Sequence, residues 1–348
     1  MSQHGLNAAL ADVISLYDLP SPETTKVITE GLIHQTYALH FKDRPALILQ
    51  RLHPLLNTPD TLADYEAVTE HLAQAGYGGP ELVLTRSGAR AATDAEGARW
   101  RLSTFVPGLT RPHIEDPQQA RLAGETLARF HRLMASLEYS FKSPHPGHDT
   151  QGHWERLHVA SQAPEHQAHW AQVQERGEGI LSELGRLILP QGLPRVVVHG
   201  DPKVTNIRFQ EGRAVLIDLD TCARHTRLVD IGDAIRSWCD LSREGSTTPD
   251  GRVFSLERCR AMLEGYLSHS EPLTALEREW LPRCGRTITL ELASRFTRDY
   301  LEDHYFAYDA TRFDSRRAHN LHRIESMWRL AEEMREAEAE LVSWLKSR

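Results

Sequence analysis

The chain has 348 residues, a formal net charge of −8 and 40% hydrophobic residues: enough apolar material for two core-bearing units, and no basic excess of the kind nucleic acid requires. Its 4 cysteines show neither C-x-x-C spacing nor the frame of a small secreted domain, which predicts a reduced, cytoplasmic protein. No apolar run approaches a membrane span, MSQHGLNAAL lacks the pattern of a signal peptide, and the histidines, including His145, His148 and His153 in one Pro/Gly-rich loop, form no metal-cage spacing.

In chain order, the first predicted element is a short helix over 6–16, closed by Asp18-Leu19-Pro20. Strands over 27–31 and 36–41 flank a turn holding Gly31. The strand over 46–51 alternates so that Leu47, Leu49 and Arg51 share a face. A helix over 61–73, announced by Asn57-Thr58-Pro59-Asp60, carries Glu66 and, one turn later, Glu70. Strands over 81–85 and 99–105 enclose a turn rich in Gly, Ala and Asp, and Val106-Pro107-Gly108 breaks the strand pattern. Beyond it the pattern is helical. Ala123, Leu127, Phe130, Met134 and Leu137 share one face, and helix over 154–187 is interrupted near Gly177-Glu178-Gly179. A further helix opens at 228–236 with Asp230 in its first turn. The last predicted helix runs to Trp344 with Leu321, Ile324, Trp328, Ala331 and Leu341 on its apolar face.

The chemistry lies in VVVHGDPKVTNIRFQEGRAVLIDLD, residues 196–220, which reads as strand, loop and hairpin. Asn206 and Asp218 are equidistant from Gly212, so a hairpin turning there sets them opposite each other, about 4.5–5.5 Å apart between Cα atoms. An amide oxygen and a carboxylate are hard ligands, few in number, that suit Mg2+ completed by water and phosphate oxygens. Asp201 is free to act on a neighbouring hydroxyl, and the Lys203 ammonium suits a transferring phosphoryl group.

HGDPKVTN resembles the H-x-D-x-x-x-x-N catalytic loop of the protein-kinase-like fold, and Ile217-Asp218-Leu219-Asp220 resembles the I-D-x-D of aminoglycoside phosphotransferases and choline kinases. The resemblance implies an α+β, bilobal fold: a small antiparallel-sheet N-lobe over 1–106, a mainly helical C-lobe over 107–348, and a hinge at Val106 whose backbone holds adenine. It implies ATP as donor, Gly31 over its phosphates, Asp201 as base and Lys203 against the phosphoryl group. Mg2+ falls to Asn206 and Asp218, with Asp220 holding a second ion or orienting the loop. Arg51 stands where protein kinases end the third strand in lysine, and Glu66 is its expected partner, with Glu70 competing. Asp230 is expected to brace the catalytic loop.

Leu49-Gln50-Arg51-Leu52, Pro146-Gly147-His148-Asp149-Thr150, the segment Asp230 to Arg236 and Ser294-Arg295-Phe296-Thr297-Arg298-Asp299-Tyr300-Leu301 resemble bacterial N-acetylhexosamine 1-kinases. That likeness implies a sugar hydroxyl as acceptor, with Arg295 facing sugar and phosphate; a salt bridge from Arg295 to Glu291 or Asp299 is the competing expectation. An aminoglycoside or choline-type phosphotransferase is the alternative, with Asp299, Glu302 and Asp303 as an acidic pocket. A protein kinase is disfavoured by the lack of DFG and A-P-E, and a pseudokinase by the intact Asp201, Asn206 and Asp218.

Overall fold

Alternating strands with one strongly apolar face build the N-terminal sheet of the computed structural model, which describes residues 10–28, 34–143, 147–244, 248 and 250–348. Strands β1 (Thr24–Ile28), β2 (Gln35–His40), β3 (Leu47–Arg51), β4 (Leu82–Val83), β5 (Ala92–Thr93) and β6 (Arg99–Thr104) pair antiparallel in the order β1-β2-β3-β6-β4, with β5 on β6. Tyr37, Leu39, Leu47, Leu49, Trp100 and Leu102 bury one face under Leu10, Val13 and Tyr17. The Tyr17 hydroxyl donates to the Trp100 carbonyl at 2.9 Å. Each such fully buried side chain contributes roughly 1.5–3 kcal/mol. Because side chains alternate, the same packing turns Gln50 and Arg101, register partners across β3 and β6, to the opposite face. Strand β5 lies in the stretch read as a turn; Asp94 closes it by accepting from the amides of Glu96 and Ala98 and from Trp100 Nε1.

Helix α1 (Pro59–Gln74) starts at a Thr58–Thr61 capping box with Pro59 at its first position. Its Tyr65, Val68 and Leu72 join the main core, which also takes in Val106 and Leu127. The rest of the chain supplies α2 (Pro117–Met134), α3 (Thr150–Gln162), α4 (Gln167–Gly185), α5 (Arg227–Trp238), α6 (Leu256–His269), α7 (Ala275–Glu302) and α8 (Arg316–Lys346). Two small antiparallel ladders lie among them: β7 (Val196–Val198) with β10 (Ala223–His225), and β8 (Ile207–Gln210) with β9 (Arg213–Leu216). Helix α5 is buried along its whole length and forms the axis of this half.

Helices α2 and α6 cross almost in backbone contact. A Cβ on Gly124 would lie 2.1 Å from the Met262 carbonyl oxygen, and one on Gly265 2.1 Å from that of Arg121. Gly124→Ala is therefore expected to destabilise the protein by about 1–3 kcal/mol, seen as a lower urea midpoint at unchanged slope. An unchanged midpoint would mean that the crossing relaxes freely.

Three expectations change. Helix α4 runs unbroken through Gly177-Glu178-Gly179, and the interruption falls instead at Ala163-Pro164. The two glycines leave room for aromatic rings: their Cβ atoms would lie 2.2 Å from Trp170 and 2.7 Å from Trp328. Leu321 is 40% exposed, and the buried face of α8 runs instead through Asn320 and Ile324. In the β8–β9 hairpin Gln210 pairs with Arg213, and the Ile217 amide donates to the Asn206 carbonyl at 2.8 Å. A two-residue turn thus sets Ile217, rather than Asp218, opposite Asn206.

Candidate active site

Strand β7 delivers His199-Gly200-Asp201 onto the buried flank of α5. Asp230, in the first turn of that helix, accepts from the His199 amide at 2.6 Å and the Gly200 amide at 2.8 Å, while its Oδ2 lies 2.8 Å from His131 Nε2. Farther along α5, Ser237 accepts from the Val204 amide at 3.0 Å and Trp238 Nε1 donates to the Pro202 carbonyl at 2.9 Å. Gly200 has φ 83°, a conformation that glycine adopts without strain, and its missing side chain lets the loop pass the Thr221 carbonyl. The loop is thereby held at both ends, as expected for Asp230.

Asp201 remains accessible on this fixed loop, its side chain 27% exposed and in contact with Lys203 Nζ. Asn206 Nδ2 donates to the Asp201 carbonyl at 2.9 Å and to its carboxylate at 3.3 Å. Burial pushes the Asp201 carboxyl up, against the opposing pull of Lys203, and the charges of Asp233 and Asp218 add to the rise. For Lys203, burial alone would lower the ammonium, but Asp201 and Asp218 outweigh it and hold the group charged. Asp218 has φ 64°, a left-handed conformation uncommon outside glycine and found at functional turns. Asn206, with its nitrogen committed, offers its Oδ1. Among the described residues no three His, Cys, Asp or Glu side chains gather as a cage. The Asn206 amide oxygen and the Asp218 carboxylate are hard oxygen donors of the kind that Mg2+ takes together with phosphate and water.

Asp220 is bound within the protein. Its oxygens accept from Arg101 Nη1 at 2.5 Å and Nη2 at 2.7 Å, His34 Nε2 lies 3.3 Å away, and its side chain is 3% exposed. Burial would raise its carboxyl; the Arg101 guanidinium outweighs that and holds it far below the usual range. Of the two expected roles, the contacts match orientation of the loop. Arg101 Nη2 also donates to Gln50 Oε1 at 2.7 Å, and the guanidinium lies 3.6 Å over the Tyr65 ring. This buried cluster joins sheet, α1 and the Asp218 loop.

Arg51 and Glu66 do not meet. Arg51, on the Leu47/Leu49 face, lies 3.2 Å from Glu96 and against Trp100, while Glu66 pairs with Arg90 at 2.5 Å. Gln50 takes the inward position, and the inward cation comes from β6 as Arg101. The signal was present in the sequence as a charged residue alternating with Trp100 and Leu102, which need burial. Gly31 lies outside the described residues. At the expected hinge, Arg208 Nε donates to the Val106 carbonyl at 3.1 Å and Nη1 to Thr110 Oγ1 at 2.9 Å, and Nη2 donates to the Gly108 carbonyl. The linker carbonyls of Val106 and Gly108 are thus already engaged by β8.

On the other side of the catalytic loop Gly147 lies against Gly200, where a Cβ would come 2.5 Å from its carbonyl oxygen. His148 Nδ1 lies 2.9 Å from Glu291 and Thr150 Oγ1 donates to the same carboxylate at 2.5 Å. Burial would lower His148, but the Glu291 charge prevails and raises it to about 9. In turn His148 overcomes the burial of Glu291 and brings it to about 2. A raised histidine stabilises the fold fully below its unfolded pKa and loses that contribution as pH rises to the folded value. Stability is therefore expected to decline between about pH 6.5 and pH 9 in the wild type, and thermal melts of His148→Gln should lack this decline. Identical profiles would remove the pair as its source.

A sheet-capped, mainly helical molecule with this loop belongs to the kinase-like phosphotransferases. A model of the phosphotransferase enzyme family, APH, matches residues 24–261, and the chain belongs to that family. A homoserine kinase of Xanthobacter autotrophicus is 28% identical over 292 residues, 81% of this chain and 83% of its own length. Among solved structures, amicoumacin kinase hAmiN in complex with AMP-PNP, Ca2+ and Ami superposes with a TM-score of 0.64 at 18% identity, covering 98% of this chain and 94% of that one. A microcompartment-associated aminopropanol kinase gives 0.64 at 15% identity, covering 97% and 98%. The chain is thus a small-molecule phosphotransferase. The sugar acceptor expected from the local resemblances does not appear in these names.

Proposed function

We propose that the protein transfers the γ-phosphoryl group of ATP to the hydroxyl of a small amine-bearing alcohol, either homoserine or a short amino alcohol. The observation that carries the reaction type is the grouping of Asp201, Lys203 and Asn206 on one loop braced by Asp230, with Asp218, beyond the β8–β9 hairpin, acting electrostatically on Asp201 and Lys203. The acceptor class rests on the named relatives. Asp201 orients the acceptor hydroxyl and takes its proton at a carboxylate oxygen as the bond to phosphorus forms. Lys203 offsets charge on the transferring group and opposes the burial that raises the Asp201 carboxyl. Asn206 and Asp218 are the residues that would hold Mg2+, which supplies charge neutralisation at the phosphates. Asp220 and Arg101 keep Asp218 in place. Positioning and electrostatics carry most of the rate.

ADP release with Mg-ATP across homoserine, 3-amino-1-propanol, choline, an aminoglycoside and N-acetylhexosamines tests this reading. Turnover is expected on homoserine or aminopropanol. Turnover confined to a reducing sugar, and abolished by a methyl group on its anomeric oxygen, would overturn the acceptor class and restore a sugar 1-kinase.

A further inference from the structure

The segment that leads into α3 carries a buried cation that the proposed chemistry leaves unused. His148 Nδ1 lies 2.9 Å from one Glu291 oxygen, and Thr150 Oγ1 donates to the other at 2.5 Å. Arg295, the expected partner of Glu291 or Asp299, lies instead against the rings of Tyr305 and Phe306 at 5.9 and 5.5 Å, and Asp299 accepts from Asn320 Nδ2 at 2.8 Å. The His148 and Glu291 side chains are at most 8% exposed. Burial would lower the imidazole, but the Glu291 charge outweighs it, so His148 keeps its proton to about pH 9. An imidazolium donates from both ring nitrogens.

The second nitrogen has no partner. His148 Nε2 and Asp233 Oδ2 are both buried without a hydrogen bond among the described residues, one a donor and the other an acceptor, and the charges of Asp233 and Asp230 both act on the imidazole. Asp230, Asp233 and Ser237 recur at helical spacing along one side of α5. That side carries the catalytic loop, since Asp230 accepts from the His199 and Gly200 amides and Ser237 from the Val204 amide. The segment also touches the loop directly. A Cβ on Gly147 would meet the Gly200 carbonyl oxygen at 2.5 Å, a packing too close for either chain to move without the other.

We propose that His148, in its charged form, is a positioning residue for the catalytic base: it keeps Gly147 seated on Gly200, and loss of its proton displaces Gly200 and Asp201 and lowers turnover. The proposal rests on the role given above to Asp201 and not on which alcohol is the acceptor. The groups that face the imidazole are Glu291 on α7, Asp230 and Asp233 on α5, and His225 on β10, which burial and the His148 charge both lower. Asp233 binds Arg236 Nε at 2.8 Å through its other oxygen, and His153 on α3 is within reach of the same Glu291 charge. Deprotonation turns Nε2 from a donor into an acceptor amid these acids. Repulsion then replaces attraction between segment 147–150 and α5.

The test compares the pH profiles of kcat for the wild type and His148→Gln at saturating Mg-ATP and acceptor, well below the melting temperature of both. The glutamine keeps a donor for Glu291 but no charge, and should lower kcat by about 10- to 100-fold near neutral pH, the range for ångström-scale misplacement. The wild-type-to-variant ratio should then shrink toward one as the pH passes about 9, because only the wild type has a charge to lose. Titration of the acceptor amine affects both proteins and cancels. A ratio constant across this range overturns the assignment, because a histidine that only stabilises the fold does not set the pH dependence of kcat. A second readout needs no acceptor. The Gly200 amide, held by Asp230, should shift in nitrogen–proton correlation spectra of glycine-labelled protein with the midpoint of the His148 ring, and stay fixed in His148→Gln. A Gly200 resonance that ignores the His148 titration overturns the proposal whichever acceptor is used, so its failure is separate from that of the acceptor class.

Discussion

Asp201→Asn is expected to lower kcat by about 10²- to 10⁴-fold, the range for removal of a positioned general base, with nucleotide affinity retained. The substitution keeps the shape of the side chain and an oxygen to accept from the acceptor hydroxyl, but removes the group that takes the proton. The loop itself should hold, because Asp230 binds the main chain of His199 and Gly200 and not the Asp201 side chain. In a loose phosphoryl-transfer transition state the proton moves late, so part of the loss reflects poorer orientation. Steady-state ADP release gives kcat, and calorimetric titration with AMP-PNP gives nucleotide affinity. Undiminished turnover would remove Asp201 as the base.

Arg101→Met should cost about 3–5 kcal/mol of stability, the penalty for leaving a buried charge without its partner. Arg101 and Asp220 are each at most 3% exposed in their side chains, so water cannot replace the missing contact. The double variant Arg101→Met/Asp220→Leu should recover most of the loss, since exchanging both partners for apolar groups removes the stranded charge. Urea denaturation of the wild type, both single variants and the double variant measures this as a coupling energy. Additive single effects would refute a buried joint. Asp218 lies two residues before Asp220, so these variants should also need more Mg2+ for half-maximal activity.

The contiguous part of the site was legible in the sequence for a simple reason. Asp201, Lys203 and Asn206 lie within one short loop, and Asp218 is carried back to them by a hairpin whose turn residues can be read directly. The hairpin register came out one residue away from expectation, because the loop closes with two turn residues and not three. Pairs between distant elements were harder. Alternation shows that Leu47, Leu49 and Arg51 share a face, but not which face meets the cleft. Burial of the leucines beneath Leu10, Val13 and Tyr17 decides that, and it puts Arg51 on the face opposite Gln50 and Arg101. Glu66 followed the same faulty premise and pairs with Arg90. Leu321 sits one position outside the buried stripe of a helix whose polar residues give little contrast.

By itself, then, the sequence determined most of the strands and helices, the loop that carries Asp201 and Asn206, and the class of chemistry, because hydrophobic period, turn residues and motif spacing are local properties. Only the tertiary structure decided which cation of the sheet meets Asp220 and which acids beside Arg295 are already engaged. Arg101 and Asp220 are 119 residues apart in sequence. Their meeting depends on how the sheet packs over α1 and the Asp218 loop, and no period within either strand or hairpin carries that information.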